Sequence, residues 1–307
     1  MVQRLPRIKR RWAAFGLVVP VLVASAATPV GAPAAETTAR LSVNDRSAAY
    51  NQQLRFQGTL EGKPNAAVQL RFKRAGRTAW ASASSSRTDS SGRFTLRARA
   101  RTNGTWQVRG ADAASTTPVT VRVRSRATTR VRSSVGVGSR AVAKGSVRPG
   151  TSGRRVYVQA RRPGSSWKTV ARVRTRKGGA FTARWRVRSA SRFQVRALAR
   201  ADRHAGADRT AARSMNVWRS ANASWYGPGL YGNGLACGGR LHGGTIGVAH
   251  KTLPCGTKLT LKRGSRTVNV RVIDRGPFHP HREFDLTGAT KRALGFGSTG
   301  SIQVTRR

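Results

Sequence analysis

Acidic residues are scarce in this chain. Its 307 residues hold 10 Asp and Glu against 59 Lys and Arg, a formal net charge of +49. Carboxylate chemistry is therefore confined to few places, and the middle of the chain has no catalytic pattern. Cysteine is nearly absent, with only Cys237 and Cys255, and neither belongs to a C-x-x-C zinc half-site. No cysteine lies near the end of the N-terminal apolar segment, so anchoring through a lipid-modified N-terminal Cys is not expected. Long hydrophobic runs are also missing. The apolar stretch 13–27 falls short of the ~20 residues that span a bilayer.

The positive charge is unevenly spread. Residues 1–35 hold five bases and no acid, residues 36–220 hold 41 bases and seven acids, and residues 221–307 hold 13 bases and three acids. Arg predominates, and its guanidinium binds phosphate and carboxylate oxygens bidentately. Nucleic acid is the reflex partner of such a chain, but the N-terminus points elsewhere. Arg4, Arg7, Lys9, Arg10 and Arg11 precede the apolar run, and Ala32-Pro33-Ala34 offers an A-x-A cleavage site. Residues 1–35 read as a signal peptide, with a transmembrane anchor as the alternative. The Arg10-Arg11 pair hints at twin-arginine export. An exported protein meets cell-wall polymers before it meets DNA, and those polymers carry phosphodiesters and carboxylates. The expected localisation is secreted and wall-associated, with no membrane span after signal removal and anionic wall polymers as partners of the basic segment.

The basic segment repeats itself. Trp80, Thr88, Gly92, Phe94 and Gln107-Val108-Arg109 recur as Trp167, Thr175, Gly179, Phe181 and Gln194-Val195-Arg196, always at an offset of 87 residues. A fixed offset with matched chemistry indicates duplication. Period-two alternation in Phe94-Thr95-Leu96-Arg97-Ala98 and Arg184-Trp185-Arg186-Val187-Arg188 marks half-buried strands. The expected organisation is two immunoglobulin-like β-sandwich repeats, 36–124 and 125–200, a linker at 201–220, and a last domain at 221–307.

From residue 221 glycine becomes dense, and four of the five His and both Cys appear. An even pair of cysteines in an exported chain suggests one disulfide, Cys237 with Cys255, in preference to a zinc site with the nearby histidines. Residues 223–227, 246–250, 258–262, 267–273 and 301–304 read as strands. Residues 287–294 read as one short helix, with Thr287 as N-cap and Gly295 closing it. Many short strands around one helix suggest a small barrel.

Four segments carry a more specific signal: Ala223-Ser224-Trp225-Tyr226-Gly227, Val248-Ala249-His250-Lys251-Thr252-Leu253-Pro254-Cys255-Gly256-Thr257, Val270-Arg271-Val272-Ile273-Asp274-Arg275-Gly276-Pro277-Phe278 and Phe284-Asp285-Leu286-Thr287. In that order and spacing they resemble the rare lipoprotein A family of peptidoglycan lytic transglycosylases and, more distantly, expansins and barwin-like proteins. The resemblance covers about 85 residues. It implies a six-stranded double-psi β-barrel, so the whole chain is expected to be mainly β, two sandwiches followed by that barrel. It also implies cleavage of peptidoglycan glycan strands without a cofactor, the muramic-acid O6 hydroxyl displacing the glycosidic oxygen to give a 1,6-anhydro product.

Glycosidic cleavage needs a proton donor for the leaving oxygen, and this domain has only Asp274, Glu283 and Asp285 to choose from. The resemblance makes Asp274 and His250 catalytic, and a matching expansin motif adds Asp285. Read from sequence alone, these three also suit a turn carboxylate paired with Arg, a structural strand-end His and a carboxylate at a helix N-terminus. Tyr226, Tyr231, Arg275 and His279 are candidate substrate-binding residues, Tyr231 as a sugar platform in a Gly-rich loop. Trp225 is expected in the barrel core. No metal site is expected. One departure stands out: Gly239 falls where the family carries glutamate, eleven residues before the histidine. That departure keeps a non-catalytic, expansin-like glycan binder open, and the charge keeps open a basic adhesion or nucleic-acid-coating protein.

Overall fold

The computed structural model describes residues 39–112 and 114–307, so the expected signal peptide lies outside the described residues. Eight strands build the first sandwich: β1 (Leu41–Val43), β2 (Ser47–Ala49), β3 (Gln53–Thr59), β4 (Ala67–Arg74), β5 (Ala81–Arg87), β6 (Arg93–Arg99), β7 (Gly104–Gly110) and β8 (Val119–Arg124). One sheet runs β1-β3-β6 and the other β2-β8-β7-β4-β5. Phe56, Leu54, Leu70, Val108 and Val121 are fully buried between them. The alternation seen in the sequence is the cause, since every second residue of a strand faces the partner sheet.

The second sandwich repeats the plan with β9 (Arg126–Val131), β10 (Ser134–Gly136), β11 (Arg140–Arg148), β12 (Arg155–Arg161), β13 (Lys168–Arg174), β14 (Ala180–Arg186), β15 (Arg192–Ala199) and a two-residue edge strand β16 (Asp208–Arg209). The offset of 87 residues survives in detail. The Thr88 hydroxyl donates to the Lys63 carbonyl and accepts from the Ala66 N–H, while Thr175 donates to Thr151 and accepts from the Arg154 N–H. Gly92 and Gly179 both have positive φ, and a Cβ would meet the carbonyl oxygen of Leu60 at 2.3 Å in one repeat and of Val147 at 2.2 Å in the other. Only glycine fits that turn.

The linker expected at 201–220 is not one, and the second sandwich does not stop at 200. Strand β17 (Arg213–Tyr226) runs for 14 residues without a break. Its first half pairs with β15 and β10 and puts Met215 and Val217 in the second sandwich's core. Its second half is the first strand of the barrel. The alternation Met215-Asn216-Val217 is too short to outweigh the polar, Ala-rich surroundings in a reading of the sequence, yet it suffices once a sheet edge is there to receive it. The stretch before it is also ordered by contact. Asp202 binds the Arg154 guanidinium at 2.7 Å, and the Arg154 side chain is 1% exposed.

The remaining strands are β18 (Val248–His250), β19 (Lys258–Arg263), β20 (Arg266–Asp274), β21 (Phe284–Thr287) and β22 (Gly300–Arg306), with helix α1 (Gly288–Leu294) before the last. They pair in the order β17-β21-β18-β20-β19-β22, and β22 returns to β17, closing a six-stranded barrel. Phe284, Leu286, Val248, Leu261, Val272 and Ile302 fill it. Thr287 caps α1 by accepting from the Thr290 N–H, and Gly295 ends it in the left-handed conformation. Among the described residues no helix is long and apolar enough to cross a membrane.

Candidate functional site

The site is built on the outer face of four adjacent barrel strands. Along β17 and β21 the core residues Ala223, Phe284 and Leu286 alternate with Ser224 and Asp285. Ser224 and Asp285 are register partners across the parallel pair, and the Ser224 hydroxyl donates to the Asp285 carboxylate. On the other side of Asp285 lies Ala249 of β18, and beyond it Asp274 of β20. A register shift at Ala249 skips Ile273 and brings Asp274 into that row. Such an irregularity re-aims a side chain. With strands ~4.8 Å apart, the two carboxylate residues stand roughly 10 Å apart at Cα. The Tyr226 hydroxyl is buried beside them without a hydrogen-bond partner of normal geometry. Burial pushes its pKa up, and the charges of Asp274 and Asp285 push it further.

Asp285 is therefore not a helix-capping carboxylate; it lies within β21 and its partner is on β17. Its carboxyl is held above the usual aspartate range. Burial is the main cause and the Asp274 charge adds to it, against the opposing effects of Ser224 and Arg282. Asp274 is fixed differently. Its Oδ1 accepts from the N–H of Arg275 at 2.8 Å and of Ala236 at 2.9 Å. The neighbouring Arg275 guanidinium does not pair with it. Arg275 instead donates to the carbonyls of His250 and Leu253 and to Cys255 Sγ. Thus a residue expected to bind substrate ties down the loop after β18.

The Ala236 N–H comes from the Gly-rich loop 227–247. The Cys237–Cys255 disulfide fastens that loop, and the Cys237 N–H bonds the Ile273 carbonyl. Gly239 has φ +80°, with nothing within 4 Å of where a Cβ would sit. Its backbone suits glycine. Tyr231 is 41% exposed, and Leu230, Ile246 and the 85% exposed Phe278 are further apolar surfaces of this domain. Phe278 is an exposed aromatic to which the sequence reading gave no role; its signal was an aromatic just after a Gly-Pro turn. Trp225 packs on the barrel core as expected, with Lys291 Nζ 3.5 Å from its ring centroid.

His250 is buried and belongs to a different cluster. Its Nδ1 accepts from the N–H of Thr252 and of Leu253, both at 3.0 Å, and its Nε2 lies 3.4 Å from Glu283 Oε1. Two donors at Nδ1 leave the ring proton on Nε2, facing Glu283. Burial is the main cause holding the His250 pKa below the usual value. Glu283, which had no assigned role, is gripped through both oxygens by Arg219. A hollow of about 420 Å³ opens here between Asn222, His250, Thr252, Pro280, His281 and Glu283. His279 is exposed, its ring edge-on to His281 at 6.2 Å. Among the described residues no group of three or more His, Cys, Asp or Glu side chains is placed to hold a metal ion.

Residues 219–306 match the family model described as lytic transglycolase. A probable endolytic peptidoglycan transglycosylase RlpA of Synechocystis sp. is 42% identical over 92 residues, covering 29% of this chain and 29% of its own. The endolytic peptidoglycan transglycosylase RlpA of Neisseria meningitidis is 39% identical over 88 residues, covering 28% of this chain and 37% of its own. That of Pseudomonas aeruginosa is 42% identical over 86 residues, covering 27% and 25%. The chain thus spans little more than a third of these relatives' lengths at most. Residues 219–306 thus form a six-stranded β-barrel whose sequence is similar to the double-psi barrels of lytic transglycolases.

Proposed function

We propose that the barrel cleaves peptidoglycan glycan strands as a lytic transglycosylase, and that the protein works secreted at the cell wall, where the basic sandwiches hold it on anionic polymers. One observation carries the enzymatic reading. In a chain of net charge +49, the Asp274 and Asp285 carboxylates share one row of the barrel and neither forms a salt bridge among the described residues. Glu283 and Asp202, by contrast, are each held by an Arg.

The two acids divide the work. Asp285, whose carboxyl is held above the usual aspartate range mainly by burial, donates its proton to the glycosidic oxygen as the C1–O bond breaks. The electron pair leaves with that oxygen. Asp274, oriented by the Ala236 and Arg275 N–H groups, faces the positive charge that develops at C1 and takes the O6 proton as O6 bonds to C1. The product is the 1,6-anhydro sugar, and no water is consumed. The exposed ring of Tyr231 supports a sugar by its face. His250, through its Glu283 contact, shapes the separate hollow lined by Asn222, Thr252 and His281.

Gly239 favours a second reading, an expansin-like binder that loosens walls without cleavage. Mass spectrometry of purified glycan strands separates the two. Anhydro-ended fragments from wild type that vanish in Asp274→Asn and Asp285→Asn establish the enzyme; binding by all three without any fragments establishes the binder.

A further inference from the structure

Between Asp112 and Asp202 the chain contains no acidic residue. The outer face of the sheet β13-β12-β15 in the second sandwich lies within that interval, and its cations are ordered. Arg161 donates through Nε to Gln194 Oε1 at 2.8 Å, and Arg196 donates through Nε to Gln159 Oε1 at 2.9 Å. Both guanidiniums lie over Trp167, at 4.6 and 3.9 Å from its ring centroid. On the same sheet, Arg172 and Arg200 each stand 5.6 Å from the Tyr157 ring centroid, and Arg155, Tyr157, Arg172 and Arg174 line a hollow of about 320 Å³. Asp202 is engaged by Arg154, and Asp208 Oδ2 accepts from the Ala127 N–H, so neither neutralises this face. Like charge without compensation is felt at Arg196, whose pKa is lowered first by burial and then by Arg209 and Arg161.

Charges held this close by neutral glutamines form a fork for an external anion. Their Nε atoms are taken, and the Nη groups remain to donate. The aromatic rings narrow the class of ligand. Strands of nucleic acid are bound by stacking bases on aromatic faces, and here guanidiniums already occupy Trp167 and Tyr157. The ligand this face suits has anions and no bases. A phosphodiester sets its two anionic oxygens on a tetrahedral centre, so that each can meet a different guanidinium, where a carboxylate's two lie in one plane and suit a single fork. The first sandwich lacks the device. It keeps Trp80 with Lys73 and Arg71 at 4.8 and 5.9 Å, but Gln107, the counterpart of Gln194, donates to the Thr116 carbonyl.

We infer that the Arg161–Trp167–Arg196 fork and the neighbouring Arg172–Tyr157–Arg200 cluster form a binding track for a base-free phosphodiester polymer, such as a polyol phosphate. This rests on, and localises, the wall-anchoring reading of the basic sandwiches.

The test is equilibrium binding of the full chain to poly(glycerol phosphate), with single-stranded DNA and polygalacturonate of matched charge as competitors. Arg161→Gln with Arg196→Gln is expected to weaken binding roughly tenfold, the loss of two charge-assisted contacts. The control pair Arg71→Gln with Lys73→Gln removes the same charge from the first sandwich and is expected to weaken it less than threefold. Gln159→Leu keeps every charge but frees Arg196, and is expected to fall between the two. Equal losses from both charge pairs, or no effect of Gln159→Leu, overturn the track in favour of diffuse attraction. DNA or polygalacturonate binding as tightly as poly(glycerol phosphate) overturns the ligand class. If the wild type binds neither polymer nor isolated walls, the anchoring reading itself fails; if it binds both and the variants bind equally well, only the track fails.

Discussion

Asp285 and Asp274 flank Ala249 at one level of the barrel, each paired in register with it, and the charge of Asp274 helps hold the Asp285 proton. If the two act as a pair, each alone is indispensable. Asp285→Asn and Asp274→Asn are each expected to lower anhydro-sugar release ~10²–10⁴-fold. The raised folded-state pKa of Asp285 adds a signature. A carboxyl raised in the folded state works as an acid below its raised pKa, so wild-type activity should fall as pH rises through the range above ordinary aspartate. Activity rising with pH there would assign the proton donor to another group. The measurement is product mass against pH.

Gly239→Glu places a carboxylate where relatives of the barrel are expected to have one, yet its φ of +80° opposes it. The left-handed conformation costs a non-glycine residue about 1–2 kcal/mol. The variant is expected to unfold at lower temperature and to gain no activity. A stable variant with a higher rate would show that the loop readjusts.

The Cys237–Cys255 bridge links stability to the site, because Ala236, next to Cys237, donates to Asp274. Two alkylation events should appear only after reduction. Cys237→Ser with Cys255→Ser is expected to cost ~3 kcal/mol in denaturant unfolding, the scale for closing a short loop. Cleavage should fall by more than the residual folded fraction explains. Unchanged turnover in the folded variant would detach the loop from catalysis.

His250 is the barrel's acid-sensitive point. Its folded pKa is lowered below 6.5, mainly by burial, so the unfolded chain takes up the proton first as pH falls. The stability held above the unfolded value is therefore lost progressively as pH drops below ~6.5, until the folded pKa is reached. Glu283→Gln removes the carboxylate that favours the proton on His250 and leaves Arg219 without its ion-pair partner. The acid-induced loss should then be larger than in wild type. Thermal unfolding at pH 7.5 and at pH 5.5 checks both, and a smaller loss in the variant would contradict the assignment.

Much of this architecture is carried by local pattern. Period-two alternation marks strands in both sandwiches and the barrel, the 87-residue offset sets the register of the duplication, and Thr287 and Gly295 bound the helix. The cysteine pair and the family-like segments likewise point to the disulfide and the double-psi barrel. These signals are local because strand faces, caps and turns depend on neighbouring residues in the chain. What the pattern cannot specify is which distant strand lies alongside. That choice alone makes β17 one continuous strand through sandwich and barrel where a linker was expected. It puts Ser224 beside Asp285, skips Ile273 to align Asp274, turns Arg275 to the carbonyls of His250 and Leu253, and gives His250 the partner Glu283. Each of these contacts joins residues from different strands or loops, and only closure of the barrel decides them.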